Sequence, residues 1–218
     1  MTILILGASG LVGGKCLQQS LSDTRIDRVV AVVRKQMDIQ HPKLTQVIVD
    51  FDKLDNYSAD IKADAVLSAL GTTLKQAGSS AKFTKVDYEY QLKVAEIARR
   101  NGVKTFVLLS STGANKKSPI LYTKVKGDIE DAVSKLGFEK LAILRPSILI
   151  GARKDNRPGE AVGQWMAKNA GFLFAGPLEK YKGIEADTVA QAMINAVQKP
   201  YTGVRIVENL EIFDWAKN

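Results

Sequence analysis

Tyr122 and Lys126 stand four residues apart, a spacing that puts two side chains on the same face of a helix. A phenol with an ordinary pKa of about 10 is a poor acid or base at neutral pH, but a neighbouring ammonium favours the ionised phenolate. Such a pair can donate a proton to an oxygen atom, or accept one from it, while the attached carbon is reduced or oxidised. The alternative is an ordinary packed and solvated pair, because six tyrosines and many lysines make this spacing common by chance.

Ser111 is the third residue with chemistry to offer. It belongs to the run Ser110-Ser111-Thr112-Gly113, which directly follows the apolar segment Phe106–Leu109. A serine hydroxyl at the end of a strand could hydrogen-bond a substrate oxygen and hold it against Tyr122. The order of strand, serine pair and Tyr-x-x-x-Lys supports a catalytic set of Ser111, Tyr122 and Lys126 better than spacing alone.

A glycine-rich loop near the N-terminus, Gly7-Ala8-Ser9-Gly10-Leu11-Val12-Gly13, has the spacing G-x-x-G-x-x-G. Its first glycine permits a tight exit from a strand, the second lets the backbone approach a pyrophosphate, and the third allows close packing of helix on strand. The free N–H groups at the helix start would then face the phosphates. We predict dinucleotide binding by Gly7, Ser9, Gly10, Leu11, Val12 and Gly13. The alternative is a helix start with flexible glycines.

The end of the second predicted strand bears on which dinucleotide binds. NAD-type sites place a carboxylate there for the ribose 2′-hydroxyl, whereas this chain has Val32-Val33-Arg34-Lys35. An arginine can bind a 2′-phosphate through two hydrogen bonds. We therefore predict NADP(H) rather than NAD(H) as the cofactor, with contacts from Arg34 and Lys35. The alternative is that Arg34 is a solvated residue after a strand.

Further cofactor contacts are expected where the third and fourth strands end. Asp50 could accept a hydrogen bond from an adenine amino group. In the run Leu70-Gly71-Thr72, the glycine lets the loop pass close to the cofactor and the hydroxyl can reach ribose or phosphate. Ligands of open parallel sheets bind at the carboxyl ends of the strands, which is where these residues fall.

The elements that must position these residues alternate between short β-branched runs and longer helical patterns, which is typical of a doubly wound parallel sheet. The predicted strands are Thr2–Leu6, Arg28–Val33, Thr45–Val49, Ala65–Ser68, Thr105–Ser110, Lys140–Leu144 and Val204–Val207. Residues 146–183 are rich in glycine and proline, so we predict an irregular lid or substrate segment with one short helix at Glu160–Lys168. A single domain over residues 1–218 is expected.

Composition excludes several classes of function. The chain has 31 basic and 23 acidic residues and a net charge of +8, but no basic run, so we expect an anionic small ligand rather than nucleic acid. Cys16 and His41 stand alone, which excludes an internal disulfide and Cys/His zinc clusters, and we predict no metal site. No apolar stretch is long enough for a membrane span. We expect a cytoplasmic protein, as a monomer or homodimer.

Taken together, the Gly7–Gly13 loop, the Leu70–Thr73 run, the serine pair, Tyr122-x-x-Val125-Lys126-Gly127 and Arg145-Pro146 resemble the short-chain dehydrogenase/reductase family. The similarity is to its atypical branch, the Tat-interacting oxidoreductase-like proteins and their bacterial relatives. It implies a three-layer α/β/α Rossmann fold with strand order 3-2-1-4-5-6-7 and bound NADP(H). By motif position it implies Ser111, the second serine of the pair, with Tyr122 and Lys126 as the catalytic residues. It further implies that the backbone from Pro146 onward, at Ser147 and Ile148, contacts the nicotinamide. Lys126, from its chemistry alone, could hold the hydroxyls of the nicotinamide ribose.

The function expected on these grounds is NADP(H)-dependent hydride transfer to or from a small carbonyl or hydroxyl compound. An alternative is a redox-sensing regulatory protein that binds NADP(H) without turnover and reports to a protein partner. A third possibility, an epimerase or dehydratase, is disfavoured because the segment after Gly151 is short. Arg153 and Arg157 would either bind an anionic substrate or pair with Glu160.

Overall fold

A seven-stranded sheet, parallel throughout, forms the centre of the protein in a computed structural model that describes residues 1–151 and 182–217. The strands, numbered along the chain, are β1 Thr2–Leu6, β2 Arg28–Val33, β3 Leu44–Ile48, β4 Ala65–Ser68, β5 Thr105–Leu109, β6 Lys140–Arg145, β7 Leu149–Ile150, β8 Ile184–Glu185 and β9 Gly203–Glu208. The order in the sheet is β3-β2-β1-β4-β5-β6-β9, while β7 and β8 form a separate parallel pair.

Helices cover both faces of the sheet. They are α1 Leu11–Ser22, α2 Leu74–Ala77, α3 Ser80–Thr84, α4 Tyr90–Arg100, α5 Leu121–Ser134, α6 Ala186–Ala196 and α7 Asn209–Ala216, with a 3-10 helix at Phe51–Asp60 and a π turn at Lys85–Glu89. On one face α1, α6 and α7 bury residues such as Cys16 and Met193. On the other face α4, α5 and the 3-10 helix bury residues such as Ile97 and Ile129. The strands are apolar because both of their faces are covered.

The predicted fold class is confirmed, including the three layers and the strand order. The seventh strand of the main sheet is β9 in chain order, because the short pair β7 and β8 forms outside that sheet. The sequence analysis missed this pair, the short helices α2 and α3, and the π turn that precedes α4. Most of the segment predicted as a lid, with Arg153, Arg157 and the Glu160–Lys168 helix, lies outside the described residues.

The order in which the strands are added to the sheet reverses at β1: β2 and β3 lie on one side of β1, and β4 lies on the other. A crevice therefore opens at the carboxyl ends of β1 and β4. Within residues 1–151 and 182–217, no helix combines the length and the apolar character needed to span a bilayer.

Candidate functional site

The glycine-rich loop joins β1 to α1 in a conformation that its glycines make possible. Gly7 has a φ of +87°, and a Cβ there would lie 2.6 Å from the carbonyl oxygen of Ala69. The N–H of Gly10 donates to the carbonyl of Gly7 at 2.9 Å, and Gly10 is the N-cap of α1 without a side-chain hydrogen bond. The first amides of α1 therefore have no side-chain cap, which fits an anionic group such as a pyrophosphate.

This loop borders a cleft of about 620 Å³ at the carboxyl ends of β1 and β4. The residues predicted from sequence that line it are Ser9, Gly10, Leu11, Val12, Arg34, Leu70, Gly71, Thr72, Tyr122 and Lys126. A second cleft of about 1030 Å³ adjoins the first, since Arg34 and the Leu70–Thr72 run line both, and it contains Asp50. The structure thus brings the glycine loop and the Tyr-Lys pair, more than 100 residues apart in sequence, to one elongated cleft.

The remaining predicted residues do not line either cleft. Gly7 and Gly13 lie at the base of the loop, and Lys35 is exposed beside Arg34. The carbonyl of Pro146 accepts the Thr112 N–H at 2.9 Å.

The two residues after Pro146 are also outside the lining of both clefts. The N–H of Ser147 donates to Asn209 Oδ1 at 2.9 Å, and its hydroxyl donates to the carbonyl of Lys182. Ile148 is 43% exposed. Leu149, which the sequence analysis did not select, lines the first cleft instead.

Of the two serines after β5, Ser110 lines the first cleft, whereas Ser111, which was expected to bind the substrate oxygen, does not. Ser110 lines the first cleft, but it is buried and its hydroxyl donates to the carboxylate of Glu130. Ser111 is half-buried outside the lining, and its hydroxyl has one long contact, 3.3 Å, to the carbonyl of Thr112. Among the described residues, Ser110 is therefore committed to a structural hydrogen bond, while Ser111 keeps most of its hydrogen-bonding capacity.

Glu130 anchors a charged network under this end of the sheet. Arg145 donates to both of its carboxylate oxygens, with Nε at 3.0 Å from Oε1 and Nη2 at 2.5 Å from Oε2, and also to Glu208 at 3.0 Å. Hydrogen bonding to Glu130 raises the pKa of the Arg145 guanidinium above its ordinary value. Arg145, the first residue of the Arg-Pro motif, thus links β6 to α5 through Glu130 and to β9 through Glu208.

Tyr122 and Lys126 lie one turn apart on α5, as predicted, and both line the cleft. The Tyr122 ring is 37% exposed and packs at 6.0 Å from the ring of Phe83. Lys126 is nearly inaccessible, with a side chain that is 6% exposed. The phenol therefore reaches the open part of the cleft, and the ammonium lies beneath it.

Asp87 is an acidic residue at this site that the sequence analysis did not select. Its carboxylate is 1% exposed, with Oδ1 at 2.9 Å from Lys126 Nζ and Oδ2 accepting the Thr72 N–H at 2.7 Å. Burial alone would lower the pKa of Lys126, but the Asp87 carboxylate, with smaller effects from Tyr122 and Glu130, outweighs it, so this pKa is raised. Lys126 is therefore a buried cation with its own counter-ion.

The apolar residues of this region explain why Asp87 was not selected from the sequence. Val86, Tyr90 and Val94 recur at one-turn spacing, which predicts that they form the buried face of a helix. In the structure Asp87 lies in the π turn at Lys85–Glu89 and is buried four residues before the buried Gln91, while Val86 and Tyr90 are only half-buried. Single π turns occur often at functional sites. An acidic residue between apolar helical positions was the available signal.

The second cleft holds a polar cluster around the 3-10 helix. Asp50 caps this helix, since its Oδ1 accepts the Asp52 N–H at 3.0 Å, and it still faces the cleft. Asp52 in turn accepts the Tyr90 hydroxyl at 2.6 Å and pairs with Lys85 at 2.6 Å. Arg34, at the junction of the clefts, is exposed and has no hydrogen-bond or ion-pair partner within the described ranges.

Comparison with known proteins gives consistent results for the family. An NAD(P)H-binding family model matches residues 7–200. Protein HTATIP2 of Rattus norvegicus is 36% identical over 224 residues, covering 100% of this chain and 90% of the relative. The mitochondrial protein FMP52 of Candida albicans is 37% identical over 213 residues, covering 93% of this chain and 90% of the relative.

Solved structures with the same fold include nucleotide-sugar enzymes. MoeE5 in complex with UDP-glucose and NAD superposes with a TM-score of 0.72 at 14% identity, covering 99% of this chain and 81% of MoeE5. A UDP-glucose 4-epimerase of Thermotoga maritima gives 0.70 at 15% identity, covering 100% and 82%. At this identity the likeness concerns the fold.

The expected cytoplasmic location is wrong by the same comparison. Several fungal relatives, among them FMP52 of Candida albicans and fmp52 of Aspergillus clavatus, are named as mitochondrial proteins. The expectation rested on a single cysteine, which argues against oxidising compartments but does not discriminate among reducing ones.

Proposed function

Because the chain belongs to the NAD(P)H-binding family, we propose that it is an NADP(H)-dependent oxidoreductase of the short-chain dehydrogenase/reductase type. Its substrate would be a small carbonyl or hydroxyl compound. One observation carries this proposal: Tyr122 and Lys126 line the same cleft as the glycine loop and Arg34. A dinucleotide held at the loop would thus share a cleft with a proton donor.

The residues around the cleft suit the parts of an NADP(H) molecule. The uncapped amides of Leu11 and Val12 would hold the pyrophosphate. Arg34, exposed and free of partners within the described residues, would bind the 2′-phosphate, and this favours NADP(H) over NAD(H). Asp50 would accept the adenine amino group. Lys126 would donate to the hydroxyls of the nicotinamide ribose.

The chemistry assigns distinct tasks to the side chains of this chain. When bound, the nicotinamide donates or accepts the hydride. In reduction, the Tyr122 hydroxyl donates a proton to the carbonyl oxygen, and in oxidation the phenolate removes it. Ser111 would hydrogen-bond the same oxygen, because Ser110 is already engaged with Glu130. Lys126 is charged and buried beneath the cleft, and Asp87 balances its charge.

A carbonyl screen with NADPH tests the proposal. For any substrate that the wild type reduces, we expect Tyr122→Phe to lose about a hundredfold or more in kcat. NADPH affinity should change little, because the phenol does not hold the phosphates. Tyr88→Phe is the matched control, since Tyr88 lies in the π turn and lines neither cleft. Equal rates in wild type and Tyr122→Phe would contradict the acid/base role.

A different outcome would favour the alternative function. If NADPH binds but no class of carbonyl is reduced, and a protein partner binds only the NADP(H)-loaded form, a redox-sensing regulatory role replaces the enzyme. If neither NADPH nor NADH binds to the protein, both the enzymatic and the regulatory proposals are rejected.

A further inference from the structure

The two carboxylate oxygens of Asp87 contact two different parts of the site: the loop after β4, Leu70–Thr72, which we call the cofactor loop, and the buried Lys126. Oδ2 accepts the backbone N–H of Thr72, in the loop after β4, at 2.7 Å, while Oδ1 lies 2.9 Å from Lys126 Nζ on α5. Further support comes from Gln91, whose amide donates to the carbonyl of Asp87 at 2.8 Å and accepts the Ser68 hydroxyl at 2.8 Å. The Asp87 carboxylate is therefore held between the loop after β4 and α5, and Gln91 of α4 supports the backbone of Asp87.

Few charges face Lys126, and one of them already has a partner. On its own helix are Tyr122 and Glu130; across from it, the π turn contributes Asp87. Glu130 is engaged by Arg145 of β6 through two hydrogen bonds. The carboxylate left to balance the Lys126 ammonium is thus Asp87.

The loop after β4 packs closely against this ion pair. A Cβ on Gly71 would lie 3.2 Å from Asp87 Oδ1 and 3.8 Å from Lys126 Nζ, so the loop backbone runs directly over the pair. Both side chains are almost fully buried. A buried ammonium without a counter-ion favours its neutral form, because burial penalises charge.

We propose that Asp87 is a positioning residue that keeps the buried Lys126 protonated and fixed beneath the cofactor loop. This inference rests on the proposed function for its meaning in catalysis, since it acts on the reaction through Lys126. Without Asp87, the amine would lose its proton at a pH where the wild-type amine keeps it, and its hold on the nicotinamide ribose would weaken.

Unfolding as a function of pH tests the inference without cofactor or turnover. Asp87→Asn keeps an acceptor for the Thr72 N–H but removes the charge. In this variant the unfolded state would carry a protonated Lys126 and the folded state a neutral one. The unfolded state of the variant then binds more protons than its folded state. The free energy of unfolding of Asp87→Asn, compared with that of the wild type, should therefore rise with pH, and its unfolding equilibrium constant should fall by up to about tenfold per pH unit.

The control is Lys126→Met, alone and combined with Asp87→Asn. The double variant lacks both the titrating amine and the carboxylate, so it should not show the pH-dependent change in stability of Asp87→Asn, whereas Lys126→Met alone leaves the Asp87 carboxylate buried without its counter-ion. A purely structural role of Asp87 would lower stability equally at every pH, and parallel curves for wild type and Asp87→Asn would overturn the inference. If Asp87→Asn does not fold at all, folding of the double variant supports the inference and its failure to fold overturns it.

NADPH affinity supplies a second readout. In Asp87→Asn we expect NADPH binding to weaken as pH rises from 6 to 9, by about tenfold or more across that range, while the wild type changes less. A pH-dependent stability together with an absence of turnover on any carbonyl would leave the inference about Lys126 intact and reject the enzymatic function. Turnover that depends on Tyr122, together with parallel unfolding curves, would do the reverse.

Discussion

Gly13 packs so tightly against Gly7 that a Cβ on Gly13 would lie 2.1 Å from the Gly7 carbonyl oxygen. The neighbouring atoms belong to the backbone, so no side-chain rotation can make room. The third glycine of the loop is therefore required by the packing of α1 against the end of β1.

Gly13→Ala should accordingly destabilise the protein, by about 1–3 kcal/mol or more, because an added methyl group forces the loop away from the helix. Urea unfolding of the protein without cofactor measures this. Gly14→Ala, in the same helix, is the matched control, since a Cβ on Gly14 would lie at an ordinary 3.5 Å from the carbonyl oxygen of Ala8. Alanine's higher helix propensity should leave that variant equally stable or up to ~1 kcal/mol more stable. Equal losses at both positions would contradict this explanation.

The serine pair allows structural and chemical roles to be separated. Ser110→Ala removes the donor to the buried Glu130 carboxylate, and we expect a loss of about 1–3 kcal/mol in the free energy of unfolding. Ser111→Ala should change stability by less than about 0.5 kcal/mol but reduce turnover by about a hundredfold. Denaturant unfolding and steady-state kinetics measure the two effects. A Ser111→Ala enzyme with wild-type kcat would remove Ser111 from the proposed mechanism.

Cofactor preference can be tested at the junction of the two clefts. Arg34→Ala should weaken NADPH binding by about tenfold to a hundredfold, because charge-assisted hydrogen bonds to the 2′-phosphate are lost. NADH binding should change little, and fluorescence titration follows both nucleotides. Lys35→Ala removes the same charge one residue away, outside the cleft lining, and should have a smaller effect. Equal or tighter binding of NADH by the wild type would contradict the preference for NADP(H).

The sequence was sufficient to predict the sheet because its strands are apolar on both faces and separated by clear helical patterns. β1, β2 and β4 have the predicted bounds, and β3, β5, β6 and β9 differ by a residue or two at their ends. The pair β7 and β8 was not predictable in this way, since two-residue strands carry no periodic pattern.

The position of the predicted residues in the fold follows from the sequence where motif order reflects geometry, and does not where tertiary contacts decide. The placement of Tyr122, Lys126 and Arg34 at one cleft follows from strands that end at the same edge of the sheet. The partnership of Asp87 with Lys126 joins residues 39 positions apart in the chain, and hydrophobic periodicity does not select a buried acidic residue. The different surroundings of Ser110 and Ser111 depend on Glu130, twenty residues along the chain from Ser110.

Cys16 offers a test of the packing between α1 and α6. Its side chain is fully buried, with Sγ 3.9 Å from the sulfur of Met193, and burial raises the pKa of the Cys16 thiol to about 12. At pH 8 the folded protein should therefore carry roughly a thousandfold less thiolate than an exposed cysteine. We expect iodoacetamide to label native protein very slowly, with a rate that rises through the urea unfolding transition. The chain has one cysteine, so the labelling kinetics need no site assignment.

The same raised pKa predicts a loss of stability in alkali. The unfolded thiol ionises near pH 9 and the folded thiol near 12, so above pH 9 the unfolded state binds fewer protons and the free energy of unfolding falls. Cys16→Ala should be less stable at neutral pH because it leaves a cavity, yet lose less stability between pH 9 and 11 than the wild type. The gap between the two unfolding curves should therefore narrow as pH rises. Rapid labelling of native protein at pH 8, or a gap that stays constant with pH, would mean that Cys16 is not sealed between α1 and α6.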